Sequence, residues 1–169
     1  MVPHSDEPKV ALASLIDRFQ GMSPSRRSPE SSEIAVTNDC NVSAVQKMAP
    51  LFPRMLEATP RISTVIGWPV FLDASYISLL KQEEPAALVV LAYYGVTLHK
   101  LNHIWWLGGL GTRLVQAVSE IMNDEWGPYL IWPRTEVVQT GESGLLYGYG
   151  WVVLLGDLCV FSSAVSSMG

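Results

Sequence analysis

His99 and His103 stand four residues apart in the string HKLNH, a spacing that puts two imidazoles on one face of a helix, as in helical zinc sites. The glutamate of a catalytic HExxH motif is missing and no third ligand is evident, so the pair is expected to be surface or interface histidines. Gly108-Gly109-Leu110-Gly111 has the outline of a phosphate loop, but it lacks the P-loop lysine and follows no strand; it reads as a flexible helix junction. Cys159 in GDLCV and Ser143 in SGLL have no paired base in a recognisable arrangement, and neither is assigned as a nucleophile. Glu83 and Glu84 are explained by the positive end of a helix rather than by acid/base work. No catalytic residue, metal site or cofactor is expected.

One constructive possibility is a small apolar ligand pocket with polar tips at Tyr94, His103 and Trp106, loosened by Gly95 and Gly108. The same pattern also describes an ordinary core.

The elements that would position these residues are helical. Pro85 opens a helix behind Glu83 and Glu84, with a stripe at Leu88, Leu91, Ala92, Gly95 and Leu98 and apolar residues on the other faces too. A helix of that kind is central, and its apolar run is too short to span a bilayer. A second stripe, Leu114, Ala117, Val118 and Ile121, leaves Arg113, Gln116 and Glu120 to water. Asn123-Asp124 closes it, an aromatic cluster follows at Trp126, Tyr129, Leu130 and Trp132, and Pro133 is expected to prevent further helix. The predicted structural core is Trp68, Leu91, Leu114, Trp126 and Trp132. Further upstream, Leu12, Leu15, Ile16 and Phe19 form a stripe between Pro8 and Gly21, and Asp73 is placed to cap a helix ending at Lys81.

The fold class expected is therefore all-α, an irregular helical bundle. Residues 1–21 form an N-terminal helix. Residues 22–41 form a disordered Ser/Pro-rich linker, because they have too few large apolar groups to offset their ordering entropy. A helical domain covers 42–137, and 138–169 is an apolar tail. Within the tail, Gly144 to Val165 is about as long as a membrane span, yet it holds four glycines and Asp157 near its centre. A packed tail, or a C-terminus foreign to the domain, is expected there in place of a span.

Bulk properties narrow the function classes. A chain of 169 residues fits one domain, and only 16% of it is charged, against about 25% in ordinary soluble domains. Some apolar surface should therefore await a partner. A net charge of −5 with scattered Lys and Arg opposes direct nucleic-acid contact. Two cysteines, Cys40 and Cys159, give neither a zinc spacing nor a disulfide framework, so a reducing compartment is the default.

The series from Ile66 to Pro133 resembles the C-terminal regulatory region of fungal binuclear zinc cluster transcription factors of the sterol-uptake-regulator type. Trp68-Pro69, Leu79-Leu80, and Pro85-Ala-Ala-Leu running into Leu91-Ala92-Tyr93-Tyr94 carry the first part of the likeness. Trp105-Trp106, Leu114-Val115 with Ile121, and Trp126 followed by Leu130, Trp132 and Pro133 carry the rest. The resemblance implies an all-helical region that dimerises, binds a sterol in sterol-sensing members, and works in the nucleus, in several members on secondary-metabolite gene clusters. This chain departs from the family in lacking the six-cysteine cluster, in having Tyr93 where a histidine is frequent, and in its tail. The expectation is an accessory transcriptional regulator contacting a transcription factor or a second copy of itself. Alternatives are a module binding a sterol or other hydrophobic small molecule, and a degenerate fragment of a transcription factor.

Overall fold

The computed structural model describes residues 7–21, 29–55 and 62–138. In chain order these form α1 (Glu7–Gly21), α2 (Pro29–Met48), α3 (Leu51–Met55), α4 (Ile62–Ile66), a 3-10 turn (Trp68–Phe71), α5 (Ala74–Lys81), α6 (Pro85–His99), α7 (Leu110–Ile121) and α8 (Gly127–Val138). No strand occurs among the described residues, and the fold is all-α, as the periodicity predicts. The expectations for the tail beyond Val138 lie outside the described residues.

Helix α6 is the axis. Every residue from Ala86 to His99 is buried, and α7, α8, α2, α5 and α3 pack around it. Its start is fixed by Pro85, whose missing N–H would have had no partner in a first turn, and by Glu84. The Glu84 carboxylate accepts from the Ala87 N–H at 2.7 Å, satisfying an orphan donor.

Three buried aromatic side chains tie neighbouring elements together, each donating to a backbone carbonyl. Trp68 Nε1 reaches the Ala44 oxygen of α2 at 3.1 Å. The Tyr76 hydroxyl joins α5 to Ala87 of α6 at 2.9 Å, and the Tyr94 hydroxyl joins α6 to Val65 of α4 at 3.1 Å. The rings of Trp68 and Tyr94 lie 4.5 Å apart between centroids. Each aromatic thus contributes apolar area and a satisfied polar tip. Burial pushes the Tyr76 and Tyr94 phenols well above their ordinary range.

Four sequence expectations need correction. Residues 29–41 are not a linker but the first part of α2. The buried positions of α2 are Asn38, Asn41, Ala44, Val45 and Met48, a helical stripe in which two members are asparagine. Those asparagines hide the apolar period, and so the stretch looks like a solvated linker. Second, Pro133 lies inside α8 instead of ending it. An interior proline costs about 3 kcal/mol, but Leu130, Trp132, Pro133 and Val137 are all buried, and this packing outweighs it. Third, Asp73 occupies the N-cap position of α5 but makes no side-chain cap bond. Its carboxylate accepts from Lys47 Nζ at 2.8 Å and Ser43 Oγ at 3.3 Å, clamping α5 to α2, and the Lys47 hydrogen bond and charge hold it below the usual carboxylate range. Fourth, Val115 is buried on α7 where Ile121 was expected, Ile121 being half exposed.

Gly95 tightens the core where the sequence expectation had it loosening a cavity. Helices α6 and α7 cross at Gly95 and Gly111. A Cβ on Gly111 would lie 2.3 Å from the Gly95 carbonyl oxygen and 2.3 Å from the His99 nitrogen. Only glycine lets two helix backbones approach so closely.

Candidate functional site

At the C-terminal end of α6 the chain does not pass directly into α7. Residues 100–109 run through a series of tight turns, each closed by a backbone bond three residues back. Leu101 N donates to Leu98 O at 2.9 Å, Ile104 N to Leu101 O at 2.9 Å, Leu107 N to Ile104 O at 2.9 Å, and Leu110 N to Leu107 O at 3.0 Å. Leu101 and Leu107 are buried and pin the segment to the core at both ends. Gly109 closes it with φ 75°, a left-handed conformation that costs a residue with a Cβ more than it costs glycine.

A part-buried polar network braces the turn. Asn102 Oδ1 accepts from the Gly109 N–H at 3.0 Å, which spans the base of the turn and fixes the orientation of the amide. Asn102 Nδ2 then faces His99 Nδ1 at 3.0 Å, and Thr112 Oγ1 lies 2.8 Å from the same nitrogen. With an amide donor aimed at it, Nδ1 is the acceptor and the ring proton sits on Nε2. Burial pushes the His99 pKa below its ordinary value; Lys100 adds to the shift and Glu136 opposes it. His99 is thus a neutral brace between α6, the turn and α7. The expectation of surface or interface histidines on one helix face is corrected for His99, which is buried where α6 ends; His103 lies beyond the helix and is exposed on the turn.

What the turn carries outward is aromatic. Trp105 is 90% exposed and Trp106 53% exposed. No Asp or Glu occurs between Glu84 and Glu120, while that interval holds Lys100 and Arg113. Arg113 Nε donates to the Gly109 carbonyl at 3.3 Å, which places its guanidinium at the foot of the turn, and the side chain is exposed. Lys100 is engaged by Glu136 of α8 at 2.8 Å.

The pocket tips expected from the sequence are distributed differently. Tyr94 is inside, its hydroxyl bonded to Val65 and its ring against Trp68. His103 and Trp106 lie on the exposed turn. A separate open groove of about 420 Å³ runs between α1, α6 and α8, lined in part by Ala11, Tyr93, Tyr129, Ile131 and Trp132. The Trp132 ring packs 5.1 Å from Tyr93 and 5.7 Å from Phe52, and its Nε1 has no hydrogen-bond partner. Of the expected core, Trp68, Leu91, Leu114, Trp126 and Trp132 are all buried. Trp126 rests on Phe19 and Tyr129, with the Arg18 guanidinium 5.5 Å above its ring, and Arg18 also reaches Glu125. Among the described residues, no three His, Cys, Asp or Glu side chains are grouped to hold a metal ion. No single helix there is long and apolar enough to cross a membrane.

Sequence reasoning missed Asn102, Thr112 and the buried role of His99. The available signal was a turn-favouring asparagine three residues past His99 and seven before a glycine.

A Zn(2)-C6 fungal-type transcription factor of Gibberella zeae is 29% identical to this chain over 70 residues, which are 40% of this chain and 14% of that protein. The chain therefore matches a small part of its relative's length. No family model matches the chain. No solved structure matches it either. The likeness is to a fungal transcription factor, distant and partial.

Proposed function

We propose that this chain is an accessory regulator of transcription, acting in the nucleus through protein contacts, with secondary-metabolite gene clusters as the class of target. The observation that carries the reading is the braced turn that holds Trp105 and Trp106 in solvent, beside a distant likeness to a fungal transcription factor. Exposed tryptophans on a rigid support are what protein interfaces use as anchors. These 169 residues contain two cysteines, too few for a binuclear zinc cluster, and carry a net charge of −5, so this segment is proposed to act through protein contacts. The partner proposed is a zinc cluster factor or a second copy of this chain, as the resemblance to the regulatory region of such factors would imply. No catalytic role is assigned. The test is an interaction assay against zinc cluster regulators of the same genome, together with a deletion strain. Altered transcripts of neighbouring genes are expected, and unchanged levels of all of them would overturn the proposal.

The groove beside Tyr93 supports a second reading, a sterol or similar lipid-like ligand held by α1 and α8. Its largely apolar lining fits a hydrophobic body. A tryptophan fluorescence titration with sterols discriminates: saturable change supports this reading, and its absence removes it.

A further inference from the structure

We infer that the turn formed by residues 100–109 docks a partner segment in which acidic residues flank large apolar ones. The inference rests on the protein-contact reading above and names the chemistry of that contact.

The first strand of the argument is cost. Trp105 keeps 90% of its surface in water and Trp106 53%, although the same chain buries Trp68, Trp126 and Trp132. Two adjacent indoles left in solvent forgo burial worth about 25 cal/mol for each Å². Their exposure does not come from slack chain, since buried Leu101 and Leu107, Gly109 in its left-handed conformation and the His99–Asn102–Thr112 network all fix the backbone that carries them. A pre-ordered anchor loses little freedom on binding, which favours affinity.

The second strand is charge. The chain as a whole carries −5, yet from residue 85 to residue 119 it has no acidic side chain. Arg113 stands at the foot of the turn, and among the described residues no carboxylate pairs with its guanidinium. A partner must then offer apolar groups to the indoles and a carboxylate to Arg113. Arginine and tryptophan are the residue types that dominate interface energetics, arginine by bidentate contact and by stacking.

The footprint decides between a protein segment and an anionic lipid plane, which shares this chemistry. A lipid surface would confront the whole face, where Glu136 already engages Lys100 and the net charge of the chain is negative. A narrow acidic–apolar segment needs only the two indoles and one guanidinium, and these are what the turn offers.

The test is a fluorescence anisotropy titration of the full chain against a short fluorescein-labelled peptide in which Asp and Glu alternate with Leu and Phe. Saturable binding is expected, weakened by added salt. Trp105→Ala with Trp106→Ala should weaken it at least about tenfold, and Arg113→Gln a few-fold, as for interface anchors. Circular dichroism melts confirm that these exposed-site variants stay folded. Replacing the acids by Asn and Gln, or the apolar residues by Ala, should each abolish saturation. The proposal is overturned by absence of saturable binding, by equal binding of the tryptophan variants, or by phosphatidylserine vesicles capturing the chain while the peptide does not. Lost peptide binding beside altered transcripts in the deletion strain overturns this partner chemistry and leaves the regulator reading standing.

Discussion

Among the described residues three tryptophans lie inside and two stand outside, and the two sets are held by different means. Trp68 is 2% exposed, bonds a backbone carbonyl of α2 and packs on Tyr76 and Tyr94. Trp126 and Trp132 rest on α1, α3 and α6 through Phe19, Phe52 and Tyr93. Trp105 and Trp106 have no ring partner of this kind among the described residues, yet the turn that carries them is closed by hydrogen bonds on either side of them. The interior set contributes to stability through buried area. The exterior set contributes nothing comparable, and the molecule spends a buried histidine, an asparagine and a left-handed glycine to hold it in place. Hydrophobicity alone does not separate the two sets; what the supporting residues do separates them.

Substitutions should divide along the same line. The largest loss is expected from Trp68→Ala, about 3–5 kcal/mol for emptying a buried aromatic site, seen as a lowered urea midpoint. Gly111→Ala should cost about 1–3 kcal/mol or more, because the new methyl meets backbone that cannot move aside, while Gly95→Ala, whose nearest clash is a Val115 methyl at 2.9 Å, should cost less. Asn102→Ala removes the bonds to Gly109 and His99 and should cost about 1 kcal/mol, with faster hydrogen exchange across residues 100–109 and not across α6. Trp105→Ala should change stability by less than about 0.5 kcal/mol; a larger drop would move Trp105 into the interior set and erase the comparison.

The brace also has a pH signature. His99 is depressed in the folded state, so above the ordinary histidine value both states are neutral and the stability is fully present. As pH falls below about 6.5 the unfolded chain takes the proton first, and stability declines until the folded value is passed. His99→Gln should flatten that part of the urea midpoint against pH. An unchanged slope would detach His99 from the network.

Much of the interior was legible from period and punctuation. Pro85 with Glu84 announced α6, and apolar residues all around that helix announced its central place. The stripe of α7 was legible to within the exchange of Ile121 for Val115. Helix α2 escaped because Asn38 and Asn41 occupy two of its buried positions, and no period of apolar residues reveals a stripe with polar members. Pro133 misled because local propensity favours a helix end where tertiary burial keeps the helix going. The site was less legible than the core. Neighbouring tryptophans looked the same in sequence whether buried or not, and the bond from Asn102 to Gly109 depends on a turn geometry that spacing alone does not specify. The glycines were legible as special, but a close helix crossing and a loosened cavity call for the same residue.

The central claim is that Trp105 and Trp106 serve contact and not stability. The most direct test is the transcript profile of neighbouring genes in a strain whose chain carries both Trp105→Ala and Trp106→Ala, with the double variant accumulating to the normal level. The account predicts the profile of the deletion strain. A wild-type profile would contradict it.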